Sequence, residues 1–166
     1  MKYLARTRIP VLMLLVLLFG CGQEQRSYNS SGLFAINDNG RWGYIDKSGT
    51  VVIAPQFDSA GTFWQDLAAV RIGTTHGYID KDGKLSINPQ FDAARDFSLD
   101  LAAVKSGGRW GYVNTDGSIA INPQFDEVSE FVEDIARVRT GTKWGFIDRE
   151  GKMAVNPTFD GAYDFS

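Results

Sequence analysis

A four-residue motif recurs four times at a fixed spacing, and that period constrains the fold before any other feature does. Arg41-Trp42-Gly43-Tyr44, Thr75-His76-Gly77-Tyr78, Arg109-Trp110-Gly111-Tyr112 and Lys143-Trp144-Gly145-Phe146 set their glycines 34 residues apart with no insertion. A strict period of this length denotes a repeat architecture, in which small units stack and bury their faces against one another. The units begin at Leu33, Leu67, Leu101 and Ile135.

Within the second unit the pattern is all strand and turn. Leu67-Ala68-Ala69-Val70-Arg71-Ile72 is an apolar run of strand length. Gly73-Thr74-Thr75 turns the chain into a second strand, His76 to Asp80. Asp80-Lys81-Asp82-Gly83 is a hairpin turn, since Asp bonds its own backbone and Gly accepts positive φ. Lys84-Leu85-Ser86-Ile87 alternates as a half-buried third strand, which Asn88-Pro89 should end. A connecting loop follows, anchored by Phe91 and Phe97. The other copies keep the turn glycines 49, 117 and 151, the prolines 55, 123 and 157, and the anchors Phe57/Phe63, Phe125/Phe131 and Phe159/Phe165. Three short strands cannot bury both faces alone, so neighbouring units supply the rest of the core.

The pattern resembles the WG (KWG) repeat of bacterial proteins over residues 33–166. The resemblance rests on Trp-Gly-Tyr/Phe-Ile-Asp-x-x-Gly and Pro-x-Phe-Asp in four copies. It implies an all-β array of the kind found in envelope proteins, with no catalytic residues and no assigned ligand. Local departures are His76 for Trp, Asn114 for Asp, Thr158 for Gln and Arg137 for Ala.

The expected fold is therefore all-β, four tandem three-stranded antiparallel units. Its closure is read from the phase of the array. The sequence stops at Phe165-Ser166, where earlier units next write Leu-Ala-x-Val, and Leu33-Phe34-Ala35-Ile36 stands in that register at the start. A propeller-like ring, with this strand completing the last unit, is favoured over an open solenoid.

The first segment reads as an address. Met1 to Arg8 holds Lys2, Arg6 and Arg8 and no acid, and Ile9 to Phe19 is an apolar run too short to span a bilayer. Leu18-Phe19-Gly20-Cys21 resembles the bacterial lipobox, and Cys21 is the only cysteine. The resemblance implies a lipoprotein signal peptide over 1–20, cleavage before Cys21 and lipidation there, which would hold the chain to an envelope membrane. Residues 21–32 form the lipidated Cys and a polar tether, and residues 33–166 the repeat domain. Formal net charge is −3; without the three leader cations, 14 basic residues face 20 acidic ones, a balance of −6. A mildly acidic chain is a poor partner for nucleic acid.

Candidate chemistry is sparse. His76, the only histidine, is able to act near neutral pH, but it occupies a Trp position of the repeat and reads as a structural substitution. Asp80-Lys81-Asp82-Gly83 lacks the glutamate of a calcium loop, and its copies do not keep the acids, so no metal site is expected. Asp58, Asp92, Asp126 and Asp160 follow a buried Phe and should bond local backbone N–H groups. Trp42, Trp110 and Trp144, with Tyr44, Tyr78 and Tyr112, read as inter-unit packing, with sugar stacking as the other use. No catalytic residue or cofactor is expected. The reading is a non-catalytic protein-binding module anchored through Cys21; the alternative is a carbohydrate-binding module using equivalent aromatic pockets.

Overall fold

Alternating short strands and glycine turns give four antiparallel sheets in a computed structural model, which describes residues 31–162. The leader, Cys21 and most of the tether lie outside the described residues, as does Phe165. The first sheet is β1 (Phe34–Asp38), β2 (Arg41–Ile45) and β3 (Val51–Phe57). The second is β4 (Ser59–Ala60), β5 (Ala68–Ile72), β6 (Thr75–Ile79) and β7 (Leu85–Phe91). The third is β8 (Ala93–Ser98), β9 (Leu101–Ser106), β10 (Arg109–Asn114) and β11 (Ile119–Phe125). The fourth is β12 (Glu127–Val128), β13 (Ile135–Thr140), β14 (Lys143–Asp148) and β15 (Met153–Phe159). Each sheet runs in chain order, and the described residues contain no helix.

Two expectations are corrected. The connecting loop is not only a loop: β4, β8 and β12 are short strands from it, and each hydrogen-bonds to the first strand of the following unit. Successive units are therefore joined by backbone pairing as well as by side chains. The prolines also do not end the third strand. Trp110 pairs with Phe125 and Tyr112 with Ile121, so the partner strand carries extra residues and runs through Pro123 in a bulge. Proline is tolerated there because the bulge breaks the ladder, leaving no hydrogen bond for its missing N–H to make.

The core lies between units. The second unit presents Leu67, Ala69, Tyr78, Ile87, Phe91 and Phe97, and the third covers them with Ala102, Val104 and Val113. The first and second units meet the same way, through Tyr44, Ile53, Phe57 and Phe63 against Ala68, Val70 and Ile79. Each tyrosine ring packs on the loop phenylalanine with ring centres 4.8 Å apart. Its hydroxyl donates to the backbone carbonyl of Gly61, Arg95 or Ser129 at 2.7–2.9 Å. Burial raises all three phenols well above their ordinary pKa, so they remain donors. An isoleucine then sits on the hairpin glycine of the next unit: a Cβ on Gly83 would lie 3.0 Å from Ile53, on Gly117 3.2 Å from Ile87, and on Gly151 3.0 Å from Ile121.

The two ends of the array show the same surfaces uncovered. Ile53, Ile87 and Ile121 are each 3 % exposed, whereas their counterpart Val155 is 41 % exposed and the neighbouring Phe159 49 %. At the other end Phe34 is 49 % exposed where Ala68, Ala102 and Ala136 are buried, and Gly49 has nothing within 4 Å of its Cβ position. β1 pairs with β2, and among the described residues no pairing joins the first sheet to the last. The ring anticipated from the phase of the array is not seen in them.

Candidate functional site

The hairpin carboxylates are used up by their own turns. Asp80 Oδ1 accepts from the N–H groups of Asp82 and Lys84, both at 2.9 Å, and Asp46 Oδ1 from those of Ser48 and Thr50. These bonds hold the Asp46 carboxyl below its usual range, led by the Ser48 hydroxyl. The second repeated acid closes a different turn. Asp58 Oδ2 accepts from Gly73 N–H at 2.6 Å, Asp92 from Gly108 at 3.2 Å, and Asp126 from Gly141 at 2.6 Å. Asp58, Asp126 and Asp160 also pair with Arg41, Arg109 and Lys143 of the motif. They bond backbone N–H groups, as the sequence suggested, but the donors lie across the strand pair and not in the local loop.

Trp42, His76, Trp110 and Trp144 are half-buried, and two of these rings are covered by cations. The Arg95 guanidinium lies 4.9 Å from the Trp110 ring centre, with Lys105 on the same ring at 5.9 Å. Arg137 and Arg139 cover Trp144 at 4.6 and 5.8 Å. Arg95 Nη1 then donates to Val128 O at 3.0 Å, and Arg137 Nη1 to Ala162 O. Val128 and Ala162 are repeat equivalents, so both arginines fill one spot of the unit. They reach it from different places, Arg95 from β8 and Arg137 from β13.

In the second unit that spot is empty. The residues at the two delivering positions are Gly61 and Ala69, the carbonyl position is Ala94, and the ring beneath is His76 instead of Trp. A cleft of about 340 Å³ opens there, bordered also by Arg95, Asp96 and Glu130. His76 Nδ1 is buried without a hydrogen-bond partner. The Asp96 carboxyl accepts from the Thr62 N–H and the Trp64 indole, yet burial, and then the nearby Glu130 charge, push its pKa up to about 6. The sequence reading placed His76 as a bare substitution and missed Arg95, Asp96 and Glu130. A signal for them existed: between the Phe-Asp and the second Phe that the copies keep, this loop reads Gly61-Thr62, Arg95-Asp96 and Ser129-Glu130.

A family model described as the WG containing repeat matches residues 42–73, 77–110, 110–144 and 144–166. The chain belongs to the WG repeat family. No curated protein matches it. The structure explains the glycine of the WG pair: a Cβ on Gly43, Gly77, Gly111 or Gly145 would lie 2.6–2.8 Å from the backbone nitrogen of the bulge proline. No side chain fits where the bulged strand crosses so closely. The tryptophan of the pair carries the stacked cation in the third and fourth WG units. The second WG unit departs in carrying His76 in place of the tryptophan, and in the first unit Ala35 and Asn37 stand at the positions of Arg137 and Arg139.

Proposed function

We propose that this WG repeat chain is a non-catalytic protein-binding module on a lipid tether at Cys21, built as an open four-unit stack whose end faces take polypeptide. The observation that carries the reading is the uncovered pair of faces at Phe34/Gly49 and Val155/Phe159. Inside the chain the first kind of face is covered by the preceding WG unit and the second by the following one. A surface of this shape therefore accepts an apolar β-repeat face, from another repeat protein or from a second copy. The glycan reading has less support, because guanidinium groups already cover the Trp110 and Trp144 rings on which a sugar would stack.

The test uses the full chain in membranes with a chemical cross-linker. Phe34→Asp and Val155→Asp each place a charge on one exposed end. Each variant alone should lose the cross-linked partner or copy that needs that face. For self-association, mixing the two variants should restore a single heterodimer band, because each retains one intact face. Unchanged cross-linking in both variants would refute the reading. Cys21→Ser should in addition lose fatty-acid label and membrane retention.

A further inference from the structure

We infer that the His76 cleft is a binding site for an external guanidinium group, presented by an arginine side chain or by a small arginine-like molecule. The inference is independent of the end faces. It rests on what the chain places at the equivalent spot elsewhere. In the third and fourth units a guanidinium lies over the Trp110 or Trp144 ring and donates to the carbonyl at 128 or 162. In the second unit Gly61 and Ala69 carry no guanidinium; the Asp96 carboxylate packs against Gly61, and the cleft opens beside it.

The border of the cleft suits the same cation. Asp96 and Glu130 add carboxylates where the first unit has Thr62, and none of the ion pairs among the described residues involves either one. The two carboxylates repel each other, so an entering cation relieves a repulsion as well as forming charge-assisted hydrogen bonds. A planar guanidinium satisfies the flat ring, the carbonyl and the carboxylate together, which a lysine ammonium does not. His76 is smaller than the Trp of the other copies and leaves room for the guest above it. Trp64, bonded to the Asp96 carboxyl, is a built-in reporter.

The experiment is an NMR titration of the full chain in detergent micelles, following the Trp64 indole N–H signal, identified by its loss in Trp64→Phe. The probes are free L-arginine, the peptide acetyl-Gly-Arg-Gly-amide, and its lysine counterpart. Saturable shifts are expected with the arginine probes, at least tenfold weaker with lysine. Tighter binding of the peptide assigns the group to a polypeptide, and tighter binding of free arginine to a small molecule. Ala69→Arg copies the arrangement of Arg137 in the fourth unit and should fill the cleft from within, abolishing the shifts. Asp96→Asn, at the border, should weaken them at least tenfold without the bulk of a new side chain. The inference is overturned if neither arginine probe shifts the signal, if lysine binds equally well, or if a folded Ala69→Arg chain, checked by circular dichroism, still binds as wild type.

Discussion

The middle and the ends of this array are written in nearly the same residues and behave as different materials. Ile87 and Val155 occupy one position of the unit, and so do Gly117 and Gly49. In the middle the pair closes to van der Waals contact, with Ile87 against Gly117; at the ends Val155 is exposed and Gly49 faces open space. The unit itself is unchanged, since the hairpin and bulge geometry recur in each copy. What differs is the neighbour. Burial in a repeat stack belongs to the interface, not to the unit, and stability follows the number of interfaces closed.

The largest test of that contrast is truncation of the shared side chain. Ile87→Ala should cost about 2–5 kcal/mol in denaturant unfolding, while Val155→Ala should stay within about 0.5 kcal/mol. A similar loss at both positions would mean that Val155 is covered. The contrast extends to charge. Asp96, inside the array, has its carboxyl raised to about 6, whereas Asp116 and Asp126, exposed on turns, lie below the usual range through hydrogen bonds led by Ser118 and the Gly141 N–H. Because the folded state holds the Asp96 proton more tightly than the unfolded state, stability should fall as pH rises from about 4 to 6. Asp96→Asn should remove that fall and stabilise the chain at pH 7 on the order of 2 kcal/mol, with no gain below pH 4. The two turn acids act with the opposite sign, losing their contribution as pH falls below about 4.

Smaller differences sharpen the contrast. Gly117→Ala and Gly49→Ala share the strain of positive φ, +84° and +85°, about 1–2 kcal/mol each. Only at 117 does the new methyl also meet Ile87, so the difference, about 1 kcal/mol, isolates the interface. Tyr78→Phe, which removes the bond to Arg95 O, should cost about 1 kcal/mol. Its counterpart Phe146 already lacks a hydroxyl, so Phe146→Leu should report packing alone and cost less than in a buried unit.

The sequence made the period, the three main strands and the hairpin glycines legible, because each depends on local chemistry repeated at one spacing; the backbone role of Asp58, Asp92 and Asp126 was legible too, but not that their N–H donors lie across the strand pair. It concealed β4, β8 and β12, since β4 and β12 are two residues long, β8 carries a register shift that breaks its alternation, and all three form only where the next unit offers an edge. It also misplaced the end of the third strand at Pro89, because the bulge that tolerates proline is created by Gly77 on the partner strand. The site was the least legible part. His76 alone looked like a substitution; its meaning depends on Gly61, Ala69, Ala94 and Asp96, which the fold gathers from one loop and from strands β5 and β8. An empty place is visible only beside the arginines that fill it in the next two units.

Amide hydrogen exchange on the full chain most directly tests the proposed open stack, with covered middles and bare ends. Exchange free energies should be highest in residues 68–72, 101–106 and 119–125 and lower in 34–38 and 153–159, although all five segments are strands. Equal protection across the five would contradict the account, because it would require both end faces to be covered as the internal ones are.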